Sequence, residues 1–398
     1  MENGSRIMLG LKEHIVQGVD EEEMGILVAV KSSEAEATIC PHCGSTRLYR
    51  HGSGMRRVLH SWINGKKIYL EIQRQRWRCC ACRHCFGNGA GLVRRYSRIT
   101  KQGETEILWH LRDRSFSQLR RDMGVSYSTA RRLMEKEIDE ETIGSLRDEA
   151  KLCLGIDEHS FRHQELVHTI TEIKTKRMLG VLKDDRIATL KTFLSKIPQE
   201  KVTEVCIDMK GSLRKTVEHL FPNAKVVADH FHVIADANRR IDEARRIEQD
   251  VHRKRKVVIP KRLFLIGREK LGVEKQEKID RLLDTYPSIK GFYWAKEKLR
   301  EMYRQETHSE AVKLLDSIIF SLKSDDDGEL IRWGNTLKHW REPILNHFYT
   351  HATNAFTEGC NTKIKMLKRV SYGLRNVEVY WRKMLLGFVP SRTCFHNI

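Results

Sequence analysis

At 398 residues and 40% hydrophobic content, the chain is long enough for two or three domains with ordinary globular cores. Its 72 basic and 53 acidic residues leave a formal charge of +19, which calls for a polyanionic partner; nucleic acid fits better than a membrane, because no basic amphipathic helix with an aromatic face stands out. No signal-peptide core follows Met1, and no apolar stretch nears the roughly 20 residues of a membrane helix, so a soluble intracellular protein is expected.

The alternating run Ile26-Leu27-Val28-Ala29-Val30 and then Ala35-Glu36-Ala37-Thr38-Ile39 read as two strands leading into Cys40. Cys40-Pro41-His42-Cys43-Gly44 is a CxxC knuckle with the glycine that a tight turn needs. Val58 to Ile63, then Asn64-Gly65, then alternation through Ile68, Leu70 and Ile72 predict a hairpin with a type I′ turn. Beyond it, Arg78-Cys79-Cys80-Ala81-Cys82-Arg83-His84-Cys85 holds a second knuckle, most simply Cys79 with Cys82. Folding the hairpin back brings the knuckles together, so that Cys40, Cys43, Cys79 and Cys82 can hold a structural Zn2+ in closed tetrahedral coordination. Cys80, Cys85, His42 and His84 are nearby alternative ligands. Ten cysteines suit an intracellular protein when some bind metal rather than pair.

From about Thr100 the period becomes helical, and Ser115 to Glu137 splits at Gly124 into two short helices around a tight turn. Leu119, Met123, Val125, Ala130 and Leu133 can pack inward, and Ser126 is a good N-cap. Ser128, Arg131 and Arg132 on the outer face fit a recognition helix in a DNA major groove, with a plain helical linker as the alternative.

From Lys151 the pattern is α/β, with strands at 152–157, 167–173, 177–182, 202–208 and 224–229 and helices at 186–197 and 212–220. Residues 233–348 have a helical period and form an insertion, in which Asp325-Asp326-Asp327-Gly328 is most simply a solvated turn. Asp157 follows the apolar run Leu152 to Ile156, Asp208 follows Val202 to Ile207, and Glu358 stands at the start of a helical pattern. Three strands, a helix and a fourth strand, with Asp157 on the first strand and Asp208 ending the fourth, is the RNase H-like order. That order selects Asp208 over Asp229, which ends the next strand and is assigned to support of the site or contact with flanking DNA; His232 can act with Asp229 or be structural. Asn361, Lys365 and Arg369 share a helical face with Glu358 and would line the path of a DNA end.

The segments Leu154-Gly155-Ile156-Asp157-Glu158, Ile207-Asp208-Met209, Phe221-Pro222-Asn223-Ala224 and Ala228-Asp229-His230-Phe231-His232 resemble those of the ISL-three family of bacterial insertion-sequence transposases. So do Thr353-Asn354, Glu358-Gly359-Cys360-Asn361 and Ile364-Lys365, running on to Lys368-Arg369 and Tyr372-Gly373. The similarity extends to the zinc knuckles and the helix-turn-helix; the extra Cys80 makes the second knuckle more compact than the family's usual form.

The resemblance implies a DDE transposase with an α/β, RNase H-like catalytic domain. Asp157 would bridge two Mg2+ (or Mn2+) ions roughly 3.5–4 Å apart, with Asp208 holding one and Glu358 the other. The expected division is an N-terminal β/zinc-binding domain at 1–98, a helix-turn-helix domain at 99–148, a catalytic domain at 149–232 and 349–398, and the helical insertion at 233–348. Expected partners are double-stranded DNA, as terminal inverted repeats and target, and a second copy of the chain once two DNA ends are paired. No membrane is involved, and the location is cytoplasmic at the bacterial nucleoid. A DNA-binding protein without catalysis and a metal-dependent nuclease without strand transfer are the alternatives.

Overall fold

The computed structural model describes residues 9–11, 14–32, 39–87, 92–94, 96–138, 150–162, 165–252 and 258–388. They form two compact units: Met1–Thr142 with Ile364–Ile398, and Ile143–Lys363.

The first unit begins with β1 (His14–Glu22), β2 (Gly25–Ser32), β3 (Leu48–Ile63), β4 (Lys66–Cys79) and β5 (Cys85–Gly87), in the order β1-β2-β4-β3 with β5 on β4. The β3/β4 hairpin turns on Asn64 and Gly65 at φ 50° and 78°, the positive angles of a type I′ turn. Its inward residues Val58, Ile68, Leu70 and Ile72 meet Val28 and Val30 in one buried cluster. On its side away from β4, β2 pairs with β1, which includes the acidic Asp20-Glu21-Glu22; of the strand expected at Ala35–Ile39, residues 35–38 lie outside the described residues.

Three helices follow: α1 (Lys101–Leu111), α2 (Phe116–Met123) and α3 (Tyr127–Glu137). Ser115 and Gln118 form a reciprocal capping box on α2, Gly124 ends it at φ 64°, and the Ser126 hydroxyl accepts from Thr129 N to start α3. Leu119, Met123, Val125, Ala130 and Leu133 are all buried, as their spacing requires.

The second unit is built on β6 (Leu152–Arg162), β7 (Glu165–Glu172), β8 (Arg177–Val181), α4 (Ile187–Leu194), β9 (Val202–Ile207), α5 (Gly211–Leu220) and β10 (Lys225–Ala228). The sheet order is β10-β9-β6-β7-β8; β6, β9 and β10 are parallel, while β7 runs antiparallel to both neighbours. The apolar runs of β6 and β9 suit central strands covered on both faces, and β10 closes one edge of the sheet. β6 runs five residues past Asp157, so that residue sits within the strand rather than at its end.

Among the described residues seven α-helices continue the unit: α6 (His230–Val251), α7 (Lys261–Leu265), α8 (Val273–Thr285), α9 (Pro287–Met302), α10 (His308–Lys323), α11 (Gly328–His339) and α12 (Arg341–Thr350). One core cluster runs from Leu152, Val205 and Val226 through Phe292, Leu315 and Trp333 to Phe348, so the insertion shares the core of the sheet. Asp327 caps α11 by accepting from Glu329 N and Leu330 N.

Helix α13 (Ala355–Val370) begins in this unit and ends in the first, followed by α14 (Val377–Phe388). By contacts within the chain, residues 364–388 group with the N-terminal unit. The reason is polar as well as apolar: the buried Lys383 Nζ donates to Leu111 O and Arg112 O, and Arg382 donates to Glu135 O and Ile138 O.

Candidate active site

Strand register brings the acids together. Ile156 of β6 lies beside Ile207 of β9, and Ile207 lies beside Ala228 of β10, so Asp157, Asp208 and Asp229 follow abreast on three adjacent parallel strands. Asp229 is also the residue before α6, which places His232 in that helix's first turn; Glu358 lies in the first turn of α13.

Donor atoms of Asp157, Asp208 and His232 lie within 4.8 Å of one another, and those of Asp229, His232 and Glu358 do the same. The two sets share His232. Asp157 is held by the Glu158 N–H on Oδ1 and the Asn361 amide on Oδ2, both at 2.7 Å. Glu358 is tied to the Asp229 side: its N–H donates to Asn354 O at 2.8 Å, and Asn354 N donates to Asp229 Oδ1 at 3.4 Å.

His232 Nε2 stands 2.9 Å from Asp208 Oδ1 and 4.0 Å from Asp229 Oδ2. The Asp208 carboxylate holds its pKa up at about 9, against the cost of burial. Burial, reinforced by Asp208, pushes Asp157 up to about 6. Burial also raises Asp229 and Glu358, and Asp229 adds to the effect on Glu358. Carboxylates crowded and desolvated in this way are poised for a cation.

Among the described residues Asp229 Oδ2 is a buried atom without a hydrogen-bond partner, and Asp208 Oδ1 and His232 Nε2 face only each other, at 2.9 Å. Buried polar atoms seldom remain so unless something else ligates them. Four carboxylates around one imidazole make an oxygen-rich donor set of the kind that suits Mg2+ or Mn2+, so the residues fit a divalent ion.

Below the acids is a buried polar layer. Thr169 donates to Asn361 Oδ1 at 2.7 Å, so its hydroxyl oxygen accepts from His159 Nδ1 at 2.9 Å. Asn354 is fully buried and donates to Ile156 O, while Thr171 and Thr357 hydroxyls meet at 2.8 Å. A Cβ on Gly155 would stand 2.4 Å from Thr357 Oγ1 and 2.8 Å from Asn354 Oδ1, so the start of α13 lies too close to β6 for any side chain there. His168 and Lys210 hold the neighbouring Glu158 down at about 2.

In the N-terminal unit, Cys40, Cys43, Cys79 and Cys82 form one set of candidate ligands. Cys40 Sγ is 3.6 Å from Cys82 Sγ, and Cys43 Sγ is 3.6 Å from Cys79 Sγ. A tetrahedron of ~2.3 Å zinc–sulfur bonds has edges of about 3.8 Å, so the four thiols fit zinc. The Cys82 backbone N–H, with that of Ala81, draws Cys79 down to about 6. His42 and His84 stack on each other, and Cys80 and Cys85 are exposed outside the set.

Of the expected DNA contacts, Ser128, Arg132, Lys365 and Arg369 are exposed. Arg131 is paired with Glu135 at 2.7 Å. Asn361 is a correction: it is 3% exposed and its amide is engaged by Asp157 and Thr169, so it cannot line a DNA path. Thr169, Thr171, His159 and Asn354 had no assigned role in the sequence reading, although polar residues within the strand Val167 to Ile170 were a signal that β7 packs against something polar.

Three family models match the chain. One described as transposase, for the ISL3 DDE domain, covers residues 154–384. A zinc-finger of transposase IS204/IS1001/IS1096/IS1165 covers 36–82, and the helix-turn-helix domain of transposase family ISL3 covers 91–137. The transposase for insertion sequence element IS1001 of Bordetella parapertussis is 22% identical over 89% of each chain. The transposase for insertion sequence element IS1557 of Mycobacterium tuberculosis is 22% identical over 98% of this chain and 97% of its own. Among solved structures, the Drosophila P element transposase strand transfer complex matches 73% of this chain and 93% of that chain, with a TM-score of 0.41 and 12% identity. With its DDE domain, zinc ribbon and helix-turn-helix matched in order, the chain belongs to the ISL3 family of transposases.

Proposed function

We propose that this protein binds the terminal inverted repeats of a bacterial insertion sequence and carries out metal-dependent cleavage and strand transfer there. The observation that carries the reading is the convergence of Asp157, Asp208, Asp229 and Glu358 around His232. Asp157 and Asp208 would hold one Mg2+ or Mn2+ ion, and Glu358 with Asp229 a second. Such ions, when bound, activate a water or 3′-hydroxyl and offset charge on the departing oxygen.

The chain's own residues supply the rest. Asn361 orients Asp157, and His232 offsets the carboxylates' repulsion in the metal-free protein. A Zn2+ held by Cys40, Cys43, Cys79 and Cys82 closes the ribbon. Ser128 and Arg132 on α3 face the repeat, and Lys365 and Arg369 on α13 meet phosphates of the DNA. The division of labour is a DNA-recognition unit at 1–142 with 364–398 and a catalytic unit at 143–363. Holding two DNA ends for joining requires at least two copies of the chain.

The test is incubation of the protein with Mg2+ and a duplex carrying the element end, beside Asp157→Asn, Asp208→Asn, Asp229→Asn and Glu358→Gln proteins. Cleaved and joined product from the unsubstituted protein is expected, with site-specific binding retained and cleavage lost in all four variants. Binding without cleavage by the unsubstituted protein would leave only a DNA-binding role, and cleavage without joining would leave a nuclease.

A further inference from the structure

The face of β4 that buries Ile68, Leu70 and Ile72 continues, two residues at a time, to Arg74 and Arg76. Register sets Arg56 of β3 opposite Ile72, Gly54 opposite Arg74, and Gly87 of β5 opposite Arg76. Cross-strand partners share a face, so three arginines lie on one face and two glycines stand opposite two of them. The result is a cavity of about 400 Å³ lined by Arg56, Arg74, Arg76, Gly54, Gly87 and Phe86, among others.

Both glycines border that space. A Cβ at Gly87 would come within 3.4 Å of Arg74 Nη2, while Gly54 has nothing within 4 Å of where its Cβ would stand. Among the described residues no carboxylate forms an ion pair with Arg56, Arg74 or Arg76. This is unusual here: Arg57, on the opposite face of β3, pairs with Glu22 at 2.9 Å and Glu71 at 3.9 Å. Arg56 donates to Ser97 O, and burial together with the nearby Arg74 lowers its affinity for its proton. Like charges gathered in a recess, unneutralised by the protein, are arranged for an anion.

We propose that this pocket binds a phosphodiester of the DNA backbone, giving the zinc-ribbon hairpin a sequence-independent contact separate from the helix-turn-helix. The proposal rests on the reading that the N-terminal unit binds DNA. A phosphate accepts hydrogen bonds from several guanidinium forks at once, and the contact positions the duplex without reading bases.

The experiment measures affinity of the full-length protein for an element-end duplex and a scrambled duplex, by fluorescence anisotropy across 50 to 200 mM salt. One lost phosphate contact makes the slope of log affinity against log salt shallower by about 0.9, a change of about threefold in the wild-type advantage over that range. The Arg74→Gln/Arg76→Gln protein should show that change equally on both duplexes. Gly54→Glu, which sets a carboxylate opposite Arg74 without removing an arginine, should do the same, and Arg57→Gln should not. Thermal melting and zinc content, expected to be unchanged, report that the hairpin is folded.

Salt slopes identical to wild type in both pocket variants overturn the proposal. So does millimolar inorganic phosphate binding that depends on Arg74 and Arg76 while the DNA slope does not, since the pocket would then serve a free anion. If Arg132→Gln weakens element-end binding and the pocket variants do not, only this inference fails. No DNA binding by the wild type removes the functional reading and the pocket with it.

Discussion

Asn361 shows how much one amide can decide. Its Nδ2 donates to Asp157 and its Oδ1 accepts from Thr169, whose hydroxyl is in turn held by His159. Partners that orient a metal-binding carboxylate typically matter by 10–100-fold. Asn361→Ala should therefore lower Mg2+-dependent cleavage by about that factor while leaving DNA affinity within twofold; a matching loss of DNA affinity would restore the role expected from its position on the helix. Helical spacing grouped Asn361 with Glu358, Lys365 and Arg369, but spacing alone does not reveal which part of a face is covered. His232 is open to a pH test. Its pKa of about 9 lies above the ordinary 6.5, so its contribution to stability is full below pH 6.5 and is lost as pH rises through 9. In magnesium-free buffer the catalytic unit should lose about 1–2 kcal/mol over that window, allowing for partial exposure, and His232→Gln should flatten the loss in thermal melts.

At the level of elements, what was legible followed from local chemistry. Asn64-Gly65 marked the hairpin, Ser126 and Gly124 bounded the helices, and apolar runs marked β6, β9 and β10. β1 was not legible, because its outward positions are acidic and only His14 and Val16 turn fully inward. The closeness of α13 to β6 was equally hidden, since it depends on residues some 200 positions apart in sequence. That closeness is testable: Gly155→Ala, with no room for its methyl beside Thr357 and Asn354, should destabilise the catalytic unit by about 1–3 kcal/mol and reduce cleavage by displacing Glu358. A melting temperature equal to wild type would show that the helix yields. For the ribbon, Cys40→Ala should lose bound zinc on a colorimetric assay, and unchanged stoichiometry would remove Cys40 from the ligand set.

For the molecule as a whole, the RNase H-like strand order could be read because each strand carried its own apolar signature and the carboxylates followed them. Unit membership could not, because nothing local in residues 364–388 reveals that Lys383 reaches Leu111 and Arg112. Burial draws Lys383 down to about 7 from its ordinary 10.5, the opposite sign to His232. Between those values the unfolded chain binds more protons, so stability rises with pH from about 7 upward. Raising the pH from 7 to 9 should strengthen the N-terminal unit and weaken the catalytic one. Peptide-resolved hydrogen exchange, corrected for intrinsic rates, checks this, with Lys383→Met removing the gain in the first unit; parallel shifts in both units would refute the assignment.

The return of α14 to the first unit also has a consequence in time. A chain leaves the ribosome at roughly 5–20 residues per second. The N-terminal unit begins first, yet Leu111 and Arg112 wait for Lys383, more than 270 residues later, and the second unit has emerged in between. The N-terminal unit is thus completed last, tens of seconds after its own helices have formed, and a nascent chain holds the sheet of its second unit before its first is finished.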